Sequence, residues 1–232
     1  MDSHSNEVVV DLSPVLKIYK DGRIERLWIT PRVPPSLEDP TTGISSKEII
    51  ISPNVSARLY LPNQLLENQE AKLPIFVYCH GGGFCAESAF EEVEHNFMNI
   101  LTSEASVLAV AVEYRLAPEH PLPAAYEDLW TALQWVCSHA DNNGQHFGTQ
   151  MDAWLIHHGD FGKVILGGDS AGANLVHNIA VRAAIHYVEA VKKSGWNGEV
   201  ELVDVEGEMH CLQIGLPTKL KSEPTRPDPN RK

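Results

Sequence analysis

Basic residues are scarce in this 232-residue chain, with 18 lysines and arginines against 31 aspartates and glutamates, a formal net charge of −13. Such a balance repels polyanions and excludes nucleic acid and anionic membrane surfaces as expected partners. Long apolar runs are missing too. No stretch approaches the roughly 20 residues of a membrane span, and the N-terminal region holds no apolar run of signal-peptide length, so a cytoplasmic protein is expected. Cysteine is sparse. Cys79, Cys85, Cys137 and Cys211 lack metal-ligand spacing and three lie in or beside apolar segments, which fits buried thiols in a reducing compartment. His95, His139, His157, His158, His177 and His186 have no ligand neighbours at suitable spacing and read as structural. No metal and no cofactor is expected. What remains is 43% hydrophobic and 21% charged, the composition of a globular chain long enough for one large domain with a proper core.

The chemistry gathers in two glycine-bearing stretches. In the first, FGKVILGGDSAGA, the apolar run Val164 to Leu166 leads into Gly168-Asp169-Ser170-Ala171-Gly172, and a helical pattern follows at once. Strand, tight turn carrying serine, then helix is the setting in which G-x-S-x-G denotes a nucleophile. Gly168 and Gly172 flank the serine where a Cβ would crowd the turn. The start of the next helix lies beneath it, where N–H groups favour a developing oxyanion. In the second stretch, Leu73 to Cys79 (LPIFVYC) is apolar without alternation, as in a strand covered on both faces. It runs directly into His80-Gly81-Gly82-Gly83-Phe84. Three consecutive glycines add no packing, but they let backbone N–H groups approach a ligand, as an oxyanion hole requires.

Around these motifs strands and helices alternate. Leu16 to Trp28 alternates about Asp21-Gly22 and predicts a hairpin. Pro31 to Pro40 is loop. Lys47 to Ile51 and Ala57 to Leu61 read as strands, Ser88 to Glu104 as a helix, Ser106 to Val112 as a buried strand and Ala124 to Ala140 as a helix. A helix runs from Ala171 towards Lys193, and Glu199 to Val205 reads as a last strand. The expected class is α/β, with a mainly parallel central sheet and helices on both faces. Its ligand crevice should lie at the strand C-termini, where both glycine motifs fall.

HGGGF (His80 to Phe84), EYRLAPEHPLPAAYED (Glu113 to Asp128), GDSAGAN (Gly168 to Asn174) and GEMHC (Gly207 to Cys211) together make the chain similar to the plant carboxylesterases of the hormone-sensitive-lipase-like group of α/β hydrolases, over roughly residues 1–214. The resemblance implies Ser170 as nucleophile and His210 as its base. It implies oxyanion donors at the N–H groups of Gly82, Gly83 and Ala171, with His80, Gly81 and Asp169 supporting the motifs. It further implies a small-molecule ester as substrate, and it leaves the oligomeric state open. The implied organisation is an N-terminal lid segment over 1–45, a hydrolase core over 46–214 and a disordered tail over 215–232.

One departure from the family is decisive. Ser170 and His210 are 40 positions apart, and one helix and one strand occupy nearly all of them. The family places two further strand–helix units and the triad aspartate there, and a βαβ crossover needs about 30 residues. The expected core is therefore incomplete in its C-terminal half, with a splice near 183–187. Asp204, Glu206 and Glu208 precede His210 within one strand and loop, and Asp204 and Glu206, alternating with Val203 and Val205, read as solvated-face residues. Esterase activity should be greatly reduced, and an uncovered sheet edge should lower stability. Two other readings share the scaffold: a hormone-type binding protein, as in the gibberellin receptors, whose histidine position is replaced where His210 is kept here, and a 2-hydroxyisoflavanone-dehydratase-like lyase.

Overall fold

The computed structural model describes residues 6–65, 72–140 and 151–194, with residues 183–194 described as backbone only. Three short strands at the N-terminus, β1 (Val8–Leu12), β2 (Leu16–Tyr19) and β3 (Ile24–Arg26), form their own antiparallel sheet. The β2–β3 turn is the expected hairpin. Gly22 takes φ +84°, and the Asp21 carboxylate accepts the Arg23 N–H at 3.0 Å.

The central sheet contains β4 (Ile44–Ser52), β5 (Val55–Pro62), β6 (Leu73–Cys79), β7 (Leu108–Glu113) and β8 (Gly159–Gly168), in spatial order β4-β5-β7-β6-β8. It is mixed. The pairs β4–β5 and β5–β7 are antiparallel, while β7–β6 and β6–β8 are parallel. A tight turn at Pro53-Asn54 imposes the antiparallel start. The parallel half requires crossovers, supplied by α1 (Glu92–Ala105) between β6 and β7, and by α2 (Ala124–Ser138) and α3 (Ala153–His158) between β7 and β8. The last described element, α4 (Ala171–Ser194), is continuous through residues 183–187.

Strand parity divides the core. Leu59, Val77, Val110 and Val112 face Leu129, Leu133, Leu175 and Ile179 on one side of the sheet. Tyr60, Tyr78, Ala109 and Ala111 pack with Met98 of α1 on the other. The two alanines of β7 leave room for the two tyrosines. Because helices cover both faces, β6 and β7 carry no polar alternation, as their sequences imply.

Two boundaries shift with an evident physical cause, and one element is added. The helix expected from Ser88 begins at Glu92, because Glu113 captures the preceding turn: the Ser88 hydroxyl donates to it at 2.9 Å and the Ala89 N–H at 2.7 Å. The strand before Ser170 starts at Gly159 instead of Val164, and its pairing with β6 slips between Asp160 and Val164, so residues 161–163 bulge. The short α3 is an addition to the expected elements, capped by the Asp152 carboxylate accepting the Trp154 N–H at 2.8 Å.

The expected strand Glu199–Val205, His210 and the tail from Gly215 lie outside the described residues. Among the described residues, β8 has a neighbour on one side only, and no helix is long and apolar enough to cross a membrane.

Candidate active site

Two parallel neighbours aim both motifs at one edge. β6 and β8 end in register, Cys79 opposite Gly168, so the chain leaves the sheet at His80 and at Asp169 side by side. The exit at Ser170 is strained. Ser170 has φ +49°, a left-handed backbone that costs a non-glycine residue on the order of 1–3 kcal/mol. The flanking glycines show what holds it there. A Cβ on Gly172 would lie 2.0 Å from the Cys79 carbonyl oxygen and 2.6 Å from that of His80. One on Gly168 would lie 2.7 Å from the Cys79 oxygen and 2.6 Å from the Gly172 carbonyl carbon. The start of α4 therefore rests directly on the end of β6, backbone against backbone. Its first turn closes with Ala173 N–H on Asp169 O at 3.2 Å and Asn174 N–H on Ser170 O at 3.1 Å. The Ala171 and Gly172 N–H groups belong to the helical start, where no intrahelical acceptor is available.

The glycine loop is held from several sides. Gly82, Gly83 and Phe84 all take positive φ, at +78°, +62° and +63°, and Gly82 O accepts the Cys85 and Ala86 N–H groups at 3.0 and 2.9 Å. The buried Tyr114 hydroxyl lies 2.9 Å from His80 O and 2.8 Å from Gly81 O. From β3, Arg26 Nε donates to Cys85 O at 2.6 Å, while its guanidinium forks onto Glu119 at 2.7 and 2.6 Å. His80 itself is buried and stacked on Tyr114, with ring centroids 4.3 Å apart. Burial holds its pKa down to about 3. The Gly81 backbone opposes this shift, and neither ring nitrogen has a hydrogen-bond partner among the described residues, Nε2 lying 3.9 Å from Glu113 Oε2. A ring this hard to protonate is a spacer and no general base near neutrality.

The bend at Ser170 also carries a buried carboxyl group. Asp169 is buried and accepts the Tyr78 hydroxyl at 2.8 Å. Carboxylate oxygens of Glu87, Glu94 and Asp169 all lie within 4.8 Å of one another. Burial first, then the neighbouring acids, raises the pKa of Glu87 to about 7 and that of Glu94 to about 8.

Of the residues expected to form the site, the structure brings His80, Gly81, Gly82 and Gly83 to the same sheet edge as Asp169, Ser170 and Ala171; His210 lies outside the described residues. Sequence reasoning missed Arg26, Glu87, Glu94 and Tyr114. Glu94 did leave a signal: it sits on the apolar stripe of α1, between Phe90 and Phe97, where a carboxylate has no ordinary reason to be. A cavity of about 590 Å³ opens beside the loop, lined by Arg26, Thr30, Glu87, Ser88, Tyr114 and Leu116 among others; Ser170 is not in its lining.

Comparison with known proteins places this geometry. The family described as alpha/beta hydrolase fold matches residues 76–187. The 2-hydroxyisoflavanone dehydratase of Glycyrrhiza echinata is 40% identical over 306 aligned residues, covering 92% of each chain. The chain belongs to the carboxylesterase group of the α/β hydrolases. Other α/β-hydrolase relatives are Hydrolase 3 of Catharanthus roseus, 56% identical over 183 residues, covering 77% of this chain and 57% of that protein, and Probable carboxylesterase 1 of Arabidopsis thaliana, 48% identical over 185 residues, covering 78% and 55%. The chain thus spans little more than half the length of these two. The alignment to the dehydratase is longer than this chain's 232 residues, so it must open gaps in it.

Proposed function

We propose that this chain carries the nucleophile and oxyanion half of a serine hydrolase for small-molecule carboxylic esters. The supporting observation is the strained Ser170, seated by Gly168 and Gly172 on the end of β6 and next to the positive-φ glycine loop. In this reading Ser170 Oγ attacks the ester carbonyl and His210 takes its proton. The Gly82, Gly83 and Ala171 N–H groups receive the oxyanion, and water resolves the acyl-enzyme. We further infer an internal shortening near residues 183–187, supported by the gapped alignment to the dehydratase, that removes the triad aspartate. Losing the acid that orients the histidine costs about 10⁴-fold in kcat in other serine hydrolases, so turnover here is far below that of an intact esterase.

A fluorophosphonate probe tests the nucleophile. Ser170 is labelled in the full chain and the label vanishes in Ser170→Ala, while p-nitrophenyl acetate turnover stays low. Labelling elsewhere, or none at all, refutes the nucleophile assignment; turnover typical of an intact esterase refutes the impairment. A second reading, a lyase, is favoured by the gapped alignment to the dehydratase, which extends over 92% of each chain. It predicts water loss from a 2-hydroxyisoflavanone without phosphonate-sensitive ester cleavage.

A further inference from the structure

We propose that Glu87 and Glu94 are positioning residues: with Asp169 they share bound protons in a carboxyl–carboxylate latch that holds the glycine loop against the nucleophile bend. The placement of the latch below the oxyanion donors rests on the hydrolase reading above; the latch itself rests on geometry.

Gly81, the first glycine of the loop, is packed against two of these carboxylates. A Cβ there would lie 2.4 Å from Asp169 Oδ2 and 3.2 Å from Glu87 Oε2, so the two acids close on the loop backbone from the elbow side and from the far end of the loop. The third acid comes from α1. Glu94 is 2% exposed, neither of its oxygens has a hydrogen-bond partner, and Glu87 Oε2 likewise has none. The Tyr78 hydroxyl lends some stabilisation to the Glu94 charge but donates its hydrogen bond to Asp169. Three ionised carboxylates cannot share a buried space less than 5 Å across without a counter-charge. The groups acting most strongly on Glu87 and Glu94 offer none: Glu91 on the approach to α1 and the neighbouring acids repel, while the Tyr78 hydroxyl and the Gly81 backbone favour the charge without carrying one. Cys79 and Tyr114 also face it, and burial raises the pKa of each, so both remain neutral. A proton on one carboxyl becomes a donor to an ionised neighbour and converts repulsion into an O–H···O⁻ bond. Bonds of that kind tie loop to bend and both to α1.

The sign follows from linkage. Glu87 and Glu94 hold protons in the folded chain up to about pH 7 and about pH 8, whereas the unfolded chain releases them near 4.5. Latch stability is therefore fully present below about pH 4.5 and is lost as pH rises through 7 to 8. The experiment uses the full chain as wild type, Glu94→Gln, Glu87→Gln and Glu87→Ala. Thermal midpoints are followed across the acid-to-alkaline range, and amide hydrogen exchange is read at Gly81 to Phe84. The expected result is a wild-type midpoint that falls with rising pH, and a Glu94→Gln midpoint that falls less and stands about 5 °C higher at the alkaline end. Glu87→Gln keeps loop exchange slow, and Glu87→Ala accelerates it on the order of tenfold. A Glu94→Gln curve parallel to the wild type overturns the latch, as does equal loop exchange in Glu87→Gln and Glu87→Ala. So does a wild-type midpoint raised at alkaline pH by Mg²⁺, Mn²⁺ or Ca²⁺ but unmoved in Glu94→Gln, which would assign the site to a cation instead of a proton. Loss of phosphonate labelling in every chain would remove the hydrolase reading, and the latch would still stand or fall on the melts and the exchange rates.

Discussion

Gly172→Ala is the sharpest perturbation this structure offers. The added methyl carbon would meet the Cys79 carbonyl oxygen at 2.0 Å and the His80 oxygen at 2.6 Å. Ordinary contact would require the start of α4 to retreat by roughly 1.4 Å from a sheet whose strands are close-packed. Overpacking normally costs about 1–3 kcal/mol when side chains can give way. Here the obstacles are backbone atoms at the end of β6, itself paired on both sides, so about 3 kcal/mol or more is expected, a large part of the roughly 5–15 kcal/mol of a typical domain. For a chain of this size that lowers the melting midpoint by about 6–12 °C. Gly83→Ala is the matched control. Its Cβ meets nothing within 4 Å, and only its φ of +62° opposes the substitution, a cost of about 1 kcal/mol and a drop of about 3 °C. Both are read by circular dichroism melts against the parent chain. A Gly172→Ala midpoint within a couple of degrees of the parent, or one higher than that of Gly83→Ala, would refute the backbone contact between elbow and strand.

Two further outcomes follow from strain and burial. Ser170→Gly relieves the φ of +49° and should raise the midpoint by a few degrees, about 1 kcal/mol, while abolishing phosphonate labelling; an unchanged or lower midpoint would mean that the bend stores no strain. His80→Phe keeps a ring stacked on Tyr114 and removes a base whose folded pKa of about 3 lies below the ordinary 6.5. As pH falls below 6.5 the unfolded wild type takes up a proton that the folded chain refuses, so wild-type stability drops and the advantage of His80→Phe should widen towards pH 3 in melts across that range. An advantage that stays constant or shrinks would place the imidazole in contact with solvent.

The parallel half of the sheet and both site loops were legible because their signals are local. LPIFVYC and the residues preceding Gly168 are apolar without alternation, as a doubly covered strand reads, and each runs into a glycine-bearing turn. The antiparallel β4–β5 pair was legible as strands, but its direction depended on a turn too short for a crossover. What escaped was set by partners distant in sequence. The α1 start moved because Glu113, 25 residues away, bonds Ser88. Arg26 reaches Cys85 across 59 positions, and no pattern around Arg26 announces it. Glu94 broke a visible apolar stripe, yet its meaning needed Asp169 and Glu87 in space.

The shortening and the site also divide the molecule unequally. Among the described residues, the contacts beneath the Ser170 bend come from the β6 side of β8: the carbonyls under Gly172, the glycine loop, Tyr114 and the acid cluster. The inferred loss falls later in the chain, after the helix that follows Ser170 has begun. On the proposed hydrolase reading, serine placement and oxyanion binding would depend on residues the chain keeps, while orientation of the base would depend on residues the inferred shortening removes. Disabling the base by itself would leave ground-state binding and the strained bend intact. Phosphonate capture, which exploits the bend and the donors, should then fall less steeply relative to an intact relative than ester turnover, which needs His210 correctly held in both half-reactions. Equal losses in capture and turnover would mean that the bend, too, had been disturbed.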